Sequence, residues 1–348
     1  MKLIKNLFYK KKKKIQKRRD LRVNIIPSFK CNFKCNMCNN WQVKDNPSLS
    51  AKEWTNIMSN LNSYSKNFKS TFISIGGGEP YLHKSVFLLM KKSKEYGFIP
   101  DISTNGFLFS DSIVKKSVES GLHGVCISLD SHIEETHDKI RGVKGSYAKI
   151  LDSIEKFKTT DVVINLNTVM MKQNLSDIVP VASYAIENSI FFNLQAIVVP
   201  FQEDFKDNWF KDTKYSYLWP NDLNEVDYVI DELIKLKKGK LGEKIVNSTN
   251  QLELFRKYFY NSTDIYEHKG CHLSNLNYLT VNPDGSLFIC PFDKPVGNLK
   301  NQKINYILRS DNCKKAVDKI KICTKKCHFL INCFYDEKEQ NQKLSTQK

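Results

Sequence analysis

The chain has 348 residues, 41% hydrophobic and 26% charged, enough to bury a sizeable core as two domains or as one large α/β domain with an appendage. It holds no uncharged apolar run of roughly 18 residues and no apolar stretch of secretory type near its start, so neither a membrane-spanning helix nor a signal is expected, and the chain is read as cytoplasmic. The formal net charge is +17, but residues 1–19 carry eight lysines, two arginines and no acid, which leaves +7 for the other 329 residues.

In residues 1–19, apolar Leu3, Ile4, Leu7 and Phe8 stand beside a run of five lysines. That pattern suits peripheral contact with an anionic membrane; contact with nucleic acid, or a merely solubilising tail, suits it too. The ten cysteines gather at 31–38 and 271–333, and clustering in a reducing compartment favours metal over disulfides. Cys126 and Cys313 stand apart and are expected in packing.

Residues 21–27 read as a buried strand that delivers Cys31, Cys35 and Cys38 on one loop, at C-x3-C-x2-C spacing. On spacing alone the triad fits a structural zinc site as well as an iron-sulfur cluster. Ser50-Ala51-Lys52-Glu53 is a capping box opening a helix with Trp54, Ile57, Met58 and Leu61 on its apolar face. Residues 71–75 form the next strand and stop at Gly76-Gly77-Gly78-Glu79-Pro80, where glycines let the backbone approach a ligand. A third strand ends at Ser103-Thr104-Asn105-Gly106 and a fourth, residues 124–129, at Asp130. Helices follow around Glu134 to Arg141 and through Tyr147, Ile150 and Phe157. Residues 162–169 make strand five, Ser176 caps the next helix, and residues 191–199 make strand six.

This alternation, with polar residues gathered at strand C-termini, predicts α/β architecture as a partial (β/α)6 TIM-like barrel whose ligands sit at the C-terminal face. An aromatic connector, residues 201–217, is placed over the barrel mouth, and amphipathic helices follow around Leu223 and Leu252. The expected organisation is a basic tail 1–20, a barrel 21–217, a helical connector 218–265, a cysteine-rich domain 266–336 and a polar tail 337–348.

The four strand-end motifs in this order resemble the radical S-adenosylmethionine superfamily. The resemblance implies that Cys31, Cys35 and Cys38 hold a 4Fe-4S cluster whose fourth iron takes the amino and carboxylate groups of S-adenosylmethionine. It also implies that Gly77, Gly78 and Glu79 receive the amino group, that Ser128 and Arg141 meet the ribose and carboxylate, and that Ser103, Asn105 and Asp130 complete the cofactor site. The implied chemistry is reductive cleavage to a 5'-deoxyadenosyl radical that abstracts hydrogen from an unactivated C-H bond. A reducing partner such as flavodoxin or ferredoxin is implied as well. Met37 and Trp41 read as subfamily features.

Further on, Cys271, Gly285-x4-Cys290 and Cys323-x3-Cys327-x5-Cys333 resemble the SPASM or shorter Twitch extension. Five cysteines fit one auxiliary 4Fe-4S cluster, held by Cys271, Cys290 and two of Cys323, Cys327 and Cys333, with slight preference for the first two. Residues 281–289 read as a hairpin turning at Asp284-Gly285. The expected function is oxidation of a carbohydrate-like or lipid-linked small molecule, because the cluster loop begins so early that no leader-peptide domain precedes it. Two alternatives are a peptide or protein maturase and a zinc-dependent nucleic-acid binder, although no specific nucleic acid is expected. No general acid or base is legible; Asp130, Asn165, Asn167 and Gln195 near strand ends are candidates for facing the cavity.

Overall fold

The computed structural model describes residues 19–44, 47–261 and 271–333, and among these nine strands form one sheet in the order β6-β5-β4-β3-β2-β1-β7-β8-β9. Residues 1–18 of the expected tail 1–20, the tail 337–348 and the domain junction at 266 lie outside the described residues. Strands β1 (Leu21–Ser28), β2 (Thr71–Gly77), β3 (Ile99–Thr104), β4 (Gly124–Ser128), β5 (Val163–Met170) and β6 (Phe191–Ala196) are parallel neighbours in chain order. Parallel neighbours need crossovers. These are supplied by α1 (Ala51–Ser65), α2 (Val86–Glu95), α3 (Asp111–Glu119), α4 (Glu134–Arg141) with α5 (Ser146–Lys158), and α6 (Leu175–Glu187). The result is a partial barrel.

Each strand alternates between two environments. Leu21, Val23 and Ile25 of β1, Ile164 and Leu166 of β5, and Phe192 and Leu194 of β6 are buried in the hydrophobic core, which also holds Trp54, Ile57, Met58 and Leu61 of α1. The alternate residues, such as Asn24, Ser103, Asn165 and Asn193, face the other side, the barrel interior. The capping box at Ser50 forms as expected, with the Ser50 side chain accepting from Glu53 N and the Glu53 carboxylate from Ser50 N. Ser176 does not cap α6: Asn174 occupies that position, its amide drawn away to Asp130 O at 2.7 Å and Val169 O at 2.9 Å.

The open edge of β6 carries no further strand: Val246 N donates to Phe192 O at 2.8 Å, and side chains meet the groups beyond it. Asn247 accepts from Leu194 N at 2.7 Å and donates to Leu194 O at 2.9 Å, while Asn332 does the same for Ala196 at 2.8 and 2.9 Å. Two amides thus meet the ladder groups that an edge strand leaves unpaired. Asn247 precedes α8 (Thr249–Phe259), which packs on α7 (Leu223–Lys238), and α7 packs on α6.

At the opposite edge β7 (Tyr278–Val281) joins β1 in parallel, and β8 (Ser286–Phe288) and β9 (Gly297–Asn298) continue antiparallel. The expected hairpin is present, and Gly285 takes the left-handed conformation (φ +85°) its turn requires. The cysteine-rich region is therefore stitched into the barrel's own sheet. A second tie comes from Asn60 of α1, which donates to Gln302 O at 2.8 Å and accepts from Ile304 N at 2.9 Å. None of the described helices is long and apolar enough to cross a membrane.

Candidate active site

The loop after β1 is held from three sides. Gly78 N donates to Ser28 O at 3.0 Å and Glu79 N to Lys30 O at 2.9 Å, so the glycine turn after β2 forms a ladder with the chain entering the cysteine loop. A Cβ on Gly78 would fall at or inside 2.5 Å of the Phe29 and Lys30 carbonyl oxygens, which is why glycine stands there. From below, Asn36 N donates to Ile140 O at 3.1 Å, setting the loop on the end of α4. Gly142 closes that helix in the left-handed region (φ +68°), facing Lys34 O.

The third side is the segment 201–219, whose residues 201–217 the sequence placed over the barrel mouth and which bonds to the cysteine loop. Asn39 Nδ2 donates to Glu203 Oε1 at 2.9 Å and Tyr215 Oη at 3.2 Å, Gln202 donates to Asn40 Oδ1 at 3.1 Å, and Tyr217 Oη donates to Asn36 O at 2.9 Å. An aromatic cluster anchors the segment to α8. Phe210 stacks on Trp219 at 3.9 Å, and Trp209 Nε1 donates to Tyr258 Oη at 3.3 Å. Neither Asn39 nor Glu203 carried a sequence signal; only the fold brings residues so distant in sequence together.

Glu79 is buried and its two oxygens are fully engaged. Thr104 Oγ1 donates to both at 2.9 Å, Asn105 N donates to Oε2 at 2.9 Å and Tyr81 N to Oε1 at 3.1 Å. Burial nonetheless pushes its carboxyl up to about 7, against the lowering effect of these donors. Thr104 is thus a site residue that the sequence reading passed over between Ser103 and Asn105. Asn105 in turn donates to Asn32 Oδ1 at 2.8 Å and approaches Cys31 Sγ at 4.0 Å.

Arg141 and Asp130 form a buried pair, Nη2 to Oδ2 at 2.7 Å, and Arg141 Nη1 lies 3.9 Å from Cys35 Sγ. Asp130 also accepts from Val169 N at 2.9 Å, so its role is to fix Arg141 beside the loop. Arg141 Nε is buried with no acceptor among the described residues, and so is open to an anionic group from outside the protein. Ser128 stands on the interior face of β4 opposite Asn167 of β5, and Ser103 on β3 is opposite Cys126.

All three loop thiols are pushed up by burial, Cys38 to about 11, with Arg141 opposing the rise at Cys35. Neutral thiols must lose protons to bind metal, so loading is coupled to proton release. Around one zinc ion thiolates stand about 4 Å apart, yet no group of three His, Cys, Asp or Glu side chains among the described residues is placed to hold a single ion. Three thiols on one loop, a glycine cradle and an unmatched buried guanidinium nitrogen fit a cluster carrying an amino-acid-like ligand better than they fit a lone metal.

In the second group, the Cys271, Cys290, Cys327 and Cys333 thiols are likewise raised by burial. Cys271, pushed up to about 11, feels the charges of Cys323 and Cys290; Cys290 feels Cys323; and Cys327, pushed up to about 12, feels Cys271 and Cys290. Cys333, also pushed up to about 12, feels Cys327 and Cys271 on one side and Arg22 of β1 on the other. Cys313 is buried in α10 (Asp311–Lys321), consistent with packing. Cys126 lies inside the barrel, hydrogen-bonded to Ser103.

Comparison with known proteins agrees with this geometry. Residues 25–185 match the Radical SAM superfamily and residues 271–333 match SPASM, an iron-sulfur cluster-binding domain. The chain is 36% identical over 152 residues to Fe-coproporphyrin III synthase of Methanosarcina barkeri, covering 43% of this chain and 37% of that protein. It is 25% identical over 291 residues to AdoMet-dependent heme synthase of the same organism, covering 80% and 78%. Its fold is similar to that of native anSMEcpe with bound AdoMet and Cp18Cys peptide, with a TM-score of 0.66 and 19% identity over 90% of this chain and 88% of that one.

Proposed function

For this chain, which belongs to the radical SAM superfamily and carries a SPASM iron-sulfur domain, we propose a peptide- or protein-modifying activity on an unactivated C-H bond. The observation that carries the reading is the pairing of two thiol groups on one continuous sheet, with a polar barrel interior beside them. A solved protein of like fold, covered over 88% of its length, holds a peptide together with AdoMet, which supports a peptide substrate over the small molecule that the sequence suggested.

Cys31, Cys35 and Cys38 would hold one 4Fe-4S cluster, with Glu79, Arg141, Asn105, Ser128 and the Gly77-Gly78 turn around S-adenosylmethionine. Cys271, Cys290, Cys323 and Cys327 would hold the auxiliary cluster: charge contacts join Cys271, Cys290 and Cys327 to one another and Cys323 to the first two, and the choice of Cys323 over Cys333 follows the Cys323-x3-Cys327 spacing. When bound, the two groups supply a primary carbon radical for hydrogen abstraction and an acceptor for the electron left on the substrate. The chain's own part is positional. Thr104 and Asn105 orient Glu79 towards an ammonium group, Asp130 holds Arg141 for a carboxylate, and segment 201–219 limits water at the cysteine loop. Reduction would come from a flavodoxin- or ferredoxin-like donor.

Anaerobic incubation of the reconstituted chain with candidate peptides tests the reading: a product lighter by two hydrogens supports it, and turnover of a sugar with no peptide product removes it. A carbohydrate-like or lipid-linked substrate is favoured by one feature, the cationic segment 1–19, which suits an anionic membrane surface.

A further inference from the structure

We propose that the interior of the barrel receives an uncharged group bearing amide or hydroxyl functions, and that Asn165, Asn167 and Asn193 are its specificity-determining residues. The inference rests on the reading above, that the barrel houses the reaction, and adds what kind of group enters it.

The three asparagines share one wall. On β5, Ile164, Leu166 and Thr168 are buried on the helix side, which leaves Asn165 and Asn167 on the inner face; on β6, Phe192 and Leu194 do the same for Asn193. Register places Asn167 opposite Asn193, and Asn193 Nδ2 donates to Asn167 Oδ1 at 2.7 Å. That bond fixes both amides and leaves N–H groups of both side chains free to donate and Asn193 Oδ1 to accept. Next along β5, Asn165 Oδ1 is buried with no partner among the described residues. An orphaned amide oxygen inside a protein is destabilising, so its retention beside a reaction chamber points to a donor arriving with a ligand.

Charge narrows the class. The interior-facing charged residues of β1 to β6 are Arg22, whose guanidinium lies 4.8 Å over the Phe72 ring, and Asp101, which feels the charges of Arg22 and His123. They are of opposite sign; Arg22 lies at the start of β1, and Asp101, in mid-β3, is in register with Gly124 and Val163, two residues before Asn165. Nearer the cysteine loop, Arg141 is paired with Asp130 and its remaining nitrogen is assigned above to the cofactor carboxylate, and Lys214 of the covering segment is engaged with Glu203 at 2.9 Å. A substrate bringing several carboxylates or phosphates would bury them without matching cations, losing their hydration uncompensated. Amides and hydroxyls that donate and accept in equal measure are the complement of this wall.

The test uses the full chain, reconstituted with iron and sulfide and given S-adenosylmethionine, dithionite and a cell extract, with 5'-deoxyadenosine release as one readout. Asn193→Asp and Asn193→Lys put opposite charges on the wall, and Asn193→Gln keeps the amide. A neutral partner predicts that both charged variants lose the extract-stimulated release by about tenfold or more and that the Gln variant recovers part of it. Retention or gain with Lys assigns an anionic group and retention with Asp a cationic one; either overturns the proposal, as does extract that stimulates nothing. Iron content checks that each variant folds, and the same exchanges at Asn167 serve if one does not. A second readout needs no turnover: coproporphyrin III, followed by its own fluorescence, should show no saturable binding to the wild-type chain, and binding that weakens in Asn193→Asp refutes the neutral pocket. Protease treatment of the extract separates this proposal from the peptide reading. Stimulation that survives digestion and still shows the neutral pattern removes the peptide and keeps the pocket, whereas protease-sensitive stimulation that persists in Asn193→Lys does the reverse.

Discussion

Replacing Gly78 by Ala tests how tightly the glycine turn and the cysteine loop are built against each other. The new methyl would meet the backbone oxygens of Phe29 and Lys30, and neither is the end of a flexible side chain that can swing aside. Restoring an ordinary contact of about 3.3 Å requires the entry to the cysteine loop to move by about 1 Å. That displacement carries an overpacking cost of roughly 1–3 kcal/mol. It also weakens the bonds from Gly78 N to Ser28 O and from Glu79 N to Lys30 O, each worth about 1 kcal/mol. The sum is on the order of 3 kcal/mol, or a fall of about 6–12 °C in the melting midpoint. Because the moved residues lead directly into Cys31, iron retained after reconstitution should fall from about eight to about four atoms per chain. Gly97→Ala is the control: this glycine, just before β3, has φ +69°, but a Cβ there meets nothing within 4 Å. Its cost should be only about 1 kcal/mol of backbone strain, with iron unchanged. A Gly78→Ala chain that melts within 2 °C of wild type and holds its full iron would refute the packing argument.

The Glu79 carboxyl, pushed up to about 7 in the fold, keeps a proton that the unfolded chain loses from about pH 4.3 upward, so its contribution to stability is lost as pH rises across that window. Denaturation midpoints of the S-adenosylmethionine-free chain should drop from pH 5 to pH 8, and binding of S-adenosylmethionine at pH 7 should release roughly half a proton, read by calorimetry in buffers of different ionisation enthalpy. Asp130→Asn strips Arg141 of its buried partner and should cost about 3–5 kcal/mol in urea denaturation, because it leaves an uncompensated charge. In the auxiliary region, Cys323→Ala should lower iron by about four atoms per chain while Cys333→Ala leaves it near the wild-type value, as measured by metal analysis.

Local pattern carried the parallel strands, the capping box, the Asp-Gly hairpin and the cysteine groups, because each is a short-range rule: periodicity, cap chemistry, turn conformation and ligand spacing act over a few residues. The same locality explains the shortfalls. Ser176 has the right chemistry for a cap, but Asn174 occupies the position because its amide is held by Val169, five residues back, and by Asp130 just beyond the neighbouring strand β4, a contact only the folded sheet supplies. Thr104 was masked by its motif neighbours; its importance comes from a Glu79 carboxylate 25 residues away. By itself the sequence determined the barrel class and the thiol positions. Only the tertiary structure decided that β7 continues the barrel's sheet beside β1, that Asn247 and Asn332 close the edge of β6, and that Asn165, Asn167 and Asn193 make one uncharged wall. Edge closure and cavity lining are sums over residues far apart in the chain, and no local rule assigns a neighbour that the backbone brings in from elsewhere.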